Sequence, residues 1–261
     1  MHRKNKYTIV LLGAGRLAYS LAPALERAGH NVIQVYSRKI ADAKKLSGSL
    51  SSSLYTNKLN LVRKDADIYI VAVSDEAIAP LVSEFDPANK IMVHTSGSIP
   101  LSVFGRKNTA RRGVFYPVQS FTRENRQSFA GIPVCIEAGG AEVLGILSGI
   151  GKSIGAGIYR FDSSQRKTLH LAAVFTNNFT THMLVIAEKI LRKKKIPFGI
   201  LLPLAAETFS RIKNSDPSRM QTGPASRGDR KVISAHLRAL AEFPEYRKVY
   251  SVLSSSIEKN K

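Results

Sequence analysis

Gly13, Gly15 and Ala18 stand at the spacing Gly-x-Gly-x-x-Ala, directly after the strand-like run Tyr7-Thr8-Ile9-Val10-Leu11-Leu12 and directly before a helical pattern. In that setting each small residue has its own job. The first glycine permits a tight turn, the second lets the backbone approach a diphosphate, and the alanine lets helix and strand pack closely. Arg16 and Leu17 open the helix, whose free N–H groups face the anion. About 20 residues further on, where a dinucleotide site needs a group for the adenosine ribose, the strand-like run Asn31–Tyr36 ends in Ser37-Arg38-Lys39. A carboxylate there would bind the 2'-hydroxyl of NAD(H). A hydroxyl, a guanidinium and an ammonium hold a 2'-phosphate instead, so the pattern points to NADP(H).

Three other groups have the chemistry of a site. An apolar run at residues 68–73 ends in Val73-Ser74-Asp75, and Ile91-Met92-Val93 ends in His94-Thr95-Ser96-Gly97-Ser98. Strand ends of this kind lie at the carboxyl edge of an open sheet, over which ligands bind, so Val73, Ser74, Asp75 and Thr95 are expected cofactor contacts. Ser96 and Ser98 offer donors to a substrate carboxylate, with His94 behind them, although a polar turn can also satisfy its own backbone. Later in the chain, counting 3.6 residues per turn puts His170, Asn177 and Thr181 on one helix face with Val174, and Arg166 beside them. These polar groups either pair in the core or line a pocket. The stretch Gln221-Thr222-Gly223-Pro224-Ala225-Ser226-Arg227-Gly228-Asp229 is equally two-sided. It is a turn and a helix cap, or a loop through which Gln221 and Arg227 reach a ligand.

Positioning these groups requires an α/β fold: a doubly wound, mostly parallel sheet followed by an all-helical domain. Strand and helix patterns alternate from Tyr7 onward, with helices expected at residues 17–28, 40–46, 59–64 and 144–154 and further strands at 113–119, 132–136 and 158–161. The serine-rich stretch 47–53 reads as a surface loop. After residue 160 no strand pattern returns, and helices are expected at 163–195, 197–212, 230–240 and 246–257. The expected domains are therefore 1–160, binding the cofactor, and 161–261, an all-helical domain for the substrate.

At 261 residues and 44% hydrophobic content the chain can bury a large core, and it has no apolar run long enough to span a bilayer. The basic start, Met1 to Lys6, is followed by no cleavage-like site, so no signal peptide is expected. Cys135 is the single cysteine, which rules out an intrachain disulfide or a thiolate metal cluster and fits a cytoplasmic protein. The six histidines show no metal-ligand spacing, and no metal is expected. The formal charge of +20 is scattered. Its densest runs, Arg192-Lys193-Lys194-Lys195 and Arg111-Arg112, interleave no aromatics, so solvated faces and attraction for an anionic cofactor and substrate explain it better than nucleic acid does.

Taken together, Gly-Ala-Gly-Arg-Leu-Ala, Val-Tyr-Ser-Arg, Val-Ser-Asp, His-Thr-Ser-Gly-Ser, Phe-Tyr-Pro-Val-Gln-Ser-Phe, Leu-His-Leu-Ala-Ala-Val-Phe-Thr-Asn-Asn-Phe and Gln-Thr-Gly-Pro-Ala carry a resemblance. The chain resembles a family of NADP-dependent oxidoreductases in which a Rossmann-like domain is joined to a helical domain of unknown function 2520. That resemblance implies a homodimer built through the helical domains and favours ligand roles for Gln221 and Arg227. Wider relatives are similar to β-hydroxyacid dehydrogenases, pyrroline-carboxylate reductases and ketopantoate reductases. The first of these groups is expected to carry a catalytic Lys with an Asn four residues on, whereas this chain has His170 followed by Val174. The expected acid is thus His170, with Asn177 polarising the reacting group, the Ser96 to Ser98 loop holding a carboxylate and Arg227 closing over it. The expected reaction is NADPH-dependent reduction of a C=O of a small anionic metabolite, with 2-dehydropantoate the first candidate. Other 2-oxo acids, cyclic imines, or a non-catalytic NADP- or nucleic-acid-binding regulator are the alternatives.

Overall fold

The computed structural model describes residues 6–106, 108–124, 126–213 and 215–260, and these form two compact units that meet in sequence at Thr176 and Asn177. The first unit is built on β1 (Thr8–Leu12), β2 (Asn31–Tyr36), β3 (Leu54–Thr56), β4 (Ile68–Val71), β5 (Ile91–His94), β6 (Arg112–Pro117), β7 (Pro133–Ala138) and β8 (Gly157–Arg160). They join in one sheet in the order β3-β2-β1-β4-β5-β6-β7-β8, parallel throughout except for the β6–β7 pair. Helices α1 (Arg16–Arg27), α2 (Ile40–Ser47), α3 (Asp75–Glu84) and α4 (Ala141–Ser153) cover it.

Both faces of the central strands are buried, which is why these strands read as continuous apolar runs. Along β1 successive side chains point to opposite faces. Ile9 and Leu11 join a core with Leu21 and Leu25 of α1 and Leu147 of α4. Val10 and Leu12 join a second core with Ile78 and Leu81 of α3. The chain winds outward from β1 to β3 and then crosses back to β4 on the other side of β1. The crevice between the ends of β1 and β4 is therefore the switch point, the place where such sheets bind ligands.

Three elements differ from the sequence expectation. Leu54–Thr56, for which the sequence suggested no element, forms β3, the edge strand, with no strong apolar pattern because Leu54 and Tyr55 remain exposed. Residues 59–64 hold only a single 3-10 turn at Leu59–Leu61. β7 runs antiparallel to β6 because the described residues of 118–132 contain no crossover helix to carry the chain back to the starting edge.

The first unit also holds α5 (Ser163–Ala173), whose N-terminus is fixed by a capping box: the Asp162 carboxylate accepts from Gln165 N and the Gln165 side chain returns to Asp162 N. The single helix expected over 163–195 is interrupted at Val174–Phe179 by a π-helical segment. Thr176 and Thr181 donate their hydroxyls to the carbonyls of Ala172 and Asn177, the kind of local bond that competes with the regular ladder. The 3.6-residue count behind the expected helix face does not run through this segment.

The second unit contains α6 (Thr180–Lys193), α7 (Leu202–Ile212), the short α8 (Pro224–Arg227), α9 (Arg230–Ala239) and α10 (Pro244–Lys259), with no strand among the described residues. Ile186, Ala225 and Leu240 are its buried apolar residues. Lys193 pairs with Glu242, Arg230 with Glu258, and His236 Nδ1 with the Tyr250 hydroxyl at 2.8 Å. Asp229 caps α9 through Val232 N.

Candidate active site

The glycine turn is built into the sheet. Gly13 N donates to Tyr36 O at 2.8 Å, tying the turn to the end of β2, and the residue takes φ +127°. A Cβ on Gly13 would stand 2.2 Å from Ala72 O, so no larger residue fits. Gly15 is different, since a Cβ there would meet only Ala72 O at an ordinary 3.6 Å. The fold itself therefore does not require glycine at position 15, and a bare backbone there suits close approach by a ligand. Helix α1 starts there with no side-chain cap, leaving its first amides for that ligand.

A cleft of about 1250 Å³ opens above the turn. It exceeds the range of roughly 300–1,000 Å³ usual for a drug-sized ligand, as an extended dinucleotide demands. Gly13, Gly15, Arg16 and Leu17 line its middle, and Ser37, Arg38 and Lys39 line the end above β2. Val73, Ser74, Thr95 and Tyr116 line the end above β4, β5 and β6. Asp75 is not among the lining residues. It begins α3 and accepts a hydrogen bond from the Ser98 hydroxyl, and a carboxylate is a poor neighbour for a diphosphate.

Beyond that end lies the loop after β5. The Ser96 hydroxyl oxygen accepts from the amides of Ser98 and Ile99, both at 3.1 Å, so this turn satisfies its own backbone while Ser98 reaches Asp75. His94 lies beneath, fully buried and stacked on Phe104, with its Nδ1 accepting from Ser96 N at 3.2 Å. Burial, reinforced by the Arg166 cation, pushes its pKa down to about 4, and it stays neutral.

Arg166 has no exposed surface, yet its charge is answered on two sides. Nη1 donates to the carbonyls of Ser96, Gly97 and Ile99 at 3.0, 3.0 and 2.7 Å, and Nη2 pairs with Glu137 at 2.8 Å. Ser163 joins the same carboxylate and also accepts from Nη2. The loop is thereby fastened to α5 and β7. One turn along α5, His170 Nδ1 shares a 3.1 Å hydrogen bond with the Tyr116 hydroxyl, the rings meeting edge to face. Gly97 lies against both: a Cβ there would stand 2.7 Å from His170 Nδ1 and from Tyr116 Cζ. Burial raises the Tyr116 pKa and keeps the phenol protonated.

In the first unit, then, Ser96, Ser98 and His170 gather around one loop beside the cofactor cleft. Asn177, Gln221 and Arg227 belong to the second unit. There the Asn177 carbonyl accepts from Thr181, the Gln221 amide donates to Thr222 O, and Arg227 ends α8. Tyr116 is the site residue that sequence reasoning passed over. The rule that singled out Thr95, a polar residue at the carboxyl end of a parallel strand, applies equally to Tyr116 at the end of β6. Among the described residues there is no cluster of metal-ligand type and no helix long and apolar enough to cross a membrane.

Comparison with known proteins agrees with this geometry. Residues 8–97 match the family model described as NADP oxidoreductase coenzyme F420-dependent, and residues 132–257 match the domain of unknown function DUF2520. No curated protein matches the chain significantly. Among solved structures, an imine reductase from Myxococcus stipitatus in complex with NADP+ shares the fold at 17% identity, with 97% of this chain and 93% of that chain covered and a TM-score of 0.70. A reductive aminase from Aspergillus terreus in complex with NADPH does so at 14% identity, with 98% and 93% covered and a TM-score of 0.72. A Bacteroides fragilis protein provisionally described as an NADP oxidoreductase is 41% identical, with 98% of this chain and 100% of that chain covered and a TM-score of 0.90. With that identity over its whole length, and a Rossmann-like cofactor domain followed by domain of unknown function 2520, the chain belongs to this family of NADP oxidoreductases.

Proposed function

We propose that the protein is an NADPH-dependent reductase acting on the C=O of a small metabolite, with His170 as the source of the proton. The observation that carries this reading is a single cleft running from Ser37, Arg38 and Lys39, past the glycine turn, to Thr95 and Tyr116, where Tyr116 is hydrogen-bonded to His170. NADPH, when bound, supplies the hydride. Arg38 and Lys39 would hold its 2'-phosphate and the free amides of α1 its diphosphate, leaving the β5 and β6 ends for the reacting half. His170 and Tyr116 hold a proton between them, and the substrate binds against Gly97, whose lack of a side chain lets both rings approach.

Within this reading 2-dehydropantoate is the first acceptor to test, since a carbonyl beside a carboxylate suits a loop of serines next to one acid. A second reading rests on Asp75. Its carboxylate takes the Ser98 hydroxyl and adds negative charge at the loop, which favours a protonated C=N over an anion. Imine reductases and reductive aminases are among the proteins that share the fold. A panel of 2-dehydropantoate, other 2-oxo acids and cyclic imines, read by NADPH absorbance, separates the two. His170→Ala should lower turnover of the active compound by about 10²- to 10⁴-fold with NADPH affinity intact. A soluble protein that oxidises NADPH with no panel member, or an unimpaired His170→Ala variant, would count against the proposal.

A further inference from the structure

Residues 118–132 leave the end of β6 and cross back over the glycine turn before β7 begins, and this crossing is pinned. Phe121 and Phe129 are buried in the main core and stacked 5.5 Å apart, and Gln127 N donates to the Ser20 hydroxyl of α1 at 3.2 Å. Between these anchors Arg123 extends over the turn. Its Nη2 donates to the carbonyl of Ala14, the middle residue of Gly13-Ala14-Gly15, at 3.2 Å. Nη1 and Nη2 also take both carboxylate oxygens of Asp42, at 3.0 and 3.1 Å. The guanidinium carbon stands 5.5 Å from the centre of the Tyr19 ring. Tyr19 is only 4% exposed, and its hydroxyl has no hydrogen-bond partner among the described residues. Arg123 and Asp42 both line the cofactor cleft.

A surface ion pair would account for the Asp42 contact alone. It does not account for a guanidinium stationed on the backbone of the one turn in the fold that is shaped for a diphosphate, nor for a carboxylate lining that cleft, which would repel phosphate unless matched. An arginine fork has donors to spare after binding one carboxylate. We infer that Arg123 is a further cofactor-binding residue: it donates to the diphosphate from the side opposite the α1 amides, and Asp42 orients its guanidinium. This rests on the dinucleotide reading of the cleft but not on the choice between NADPH and NADH, because both carry the diphosphate.

The test is calorimetric titration of the whole protein with NADPH and NADH, together with competition by adenosine 2'-phosphate, which lacks the diphosphate. Arg123→Ala should weaken NADPH and NADH alike, on the order of 10- to 100-fold, and leave adenosine 2'-phosphate within about twofold. Arg123→Lys, keeping the charge without the fork, should fall between. Arg38→Ala in parallel should weaken NADPH and spare NADH. Equal loss for all three ligands in Arg123→Ala would mean that the cleft had merely lost its shape, and would overturn the inference. So would unchanged affinity, or a loss confined to NADPH, which would move the contact to the 2'-phosphate. If the unmutated protein binds NADPH and NADH equally, the NADPH preference fails while an equal loss in Arg123→Ala still supports the diphosphate contact. If it binds neither, both fall.

Discussion

A guanidinium with no exposed surface is tolerated only while its charge is answered; Arg166 answers it through Nη1 and Nη2 with three loop carbonyls and Glu137, while its buried Nε finds no partner among the described residues. Arg166→Met leaves three carbonyls without their donor and the Glu137 charge with only the Ser163 hydroxyl, so it should cost about 3–5 kcal/mol in urea unfolding. Arg166→Met with Glu137→Gln should recover part of that loss, because the stranded charge is then gone. His94 makes a prediction of a different kind. Its folded pKa, about 4, lies below the ordinary histidine value of 6.5, so between those values the unfolded chain binds a proton that the folded chain refuses. Stability is therefore complete above about pH 6.5 and drains away as the pH falls toward 4, by up to about 3 kcal/mol from this group. His30, also lowered by burial, acts in the same direction. His94→Asn keeps an acceptor near Ser96 N but has no such proton, so its melting temperature should depend less steeply on pH over that interval.

The loop after β5 fits closely against α5 and β6 at Gly97. Gly97→Ala puts a methyl 2.7 Å from ring atoms of both His170 and Tyr116, closer than atoms pack. It should lower the urea midpoint by an overpacking cost of about 1–3 kcal/mol while NADPH affinity stays within twofold, since the glycine turn is untouched. Elements of this kind mark the limit of what a sequence discloses. The turn at Gly13 and the cluster at Ser37 to Lys39 were legible because their chemistry is local: a strand, a turn and a helix start adjoin in the chain. The Tyr116–His170 and Arg166–Glu137 pairs join residues far apart in sequence, and no spacing rule links them. The antiparallel β7 was hidden because its residues look like those of any buried strand and only the missing crossover helix reverses it. The π-helical segment was hidden because threonine and asparagine side chains, rather than apolar periodicity, accompany it.

Taken whole, the chain leaves much apolar surface in its helical unit exposed, with Ile200, Leu204 and Val252 each about two-thirds accessible. Exposed apolar side chains of this size suit an interaction surface, and a second copy of the chain is the proposed occupant. Sedimentation should therefore find a dimer, and Leu204→Glu should shift it toward monomer; a monomer at all concentrations would remove the proposal. The Arg166 anchorage has one more consequence, in the order in which the molecule is made. β1, β2 and β4, with the glycine turn and Ser37 to Lys39, are complete once about a quarter of the chain has been synthesised. The loop at residues 96–99 must wait for α5, because its carbonyls have no guanidinium to hold them until residue 166 has left the ribosome. Nascent chains tend to fold from the N-terminus as units. The glycine-turn crevice is then an early product of biosynthesis and the anchored 96–99 loop a late one, so a stall in translation before α5 would leave a chain with the first and without the second.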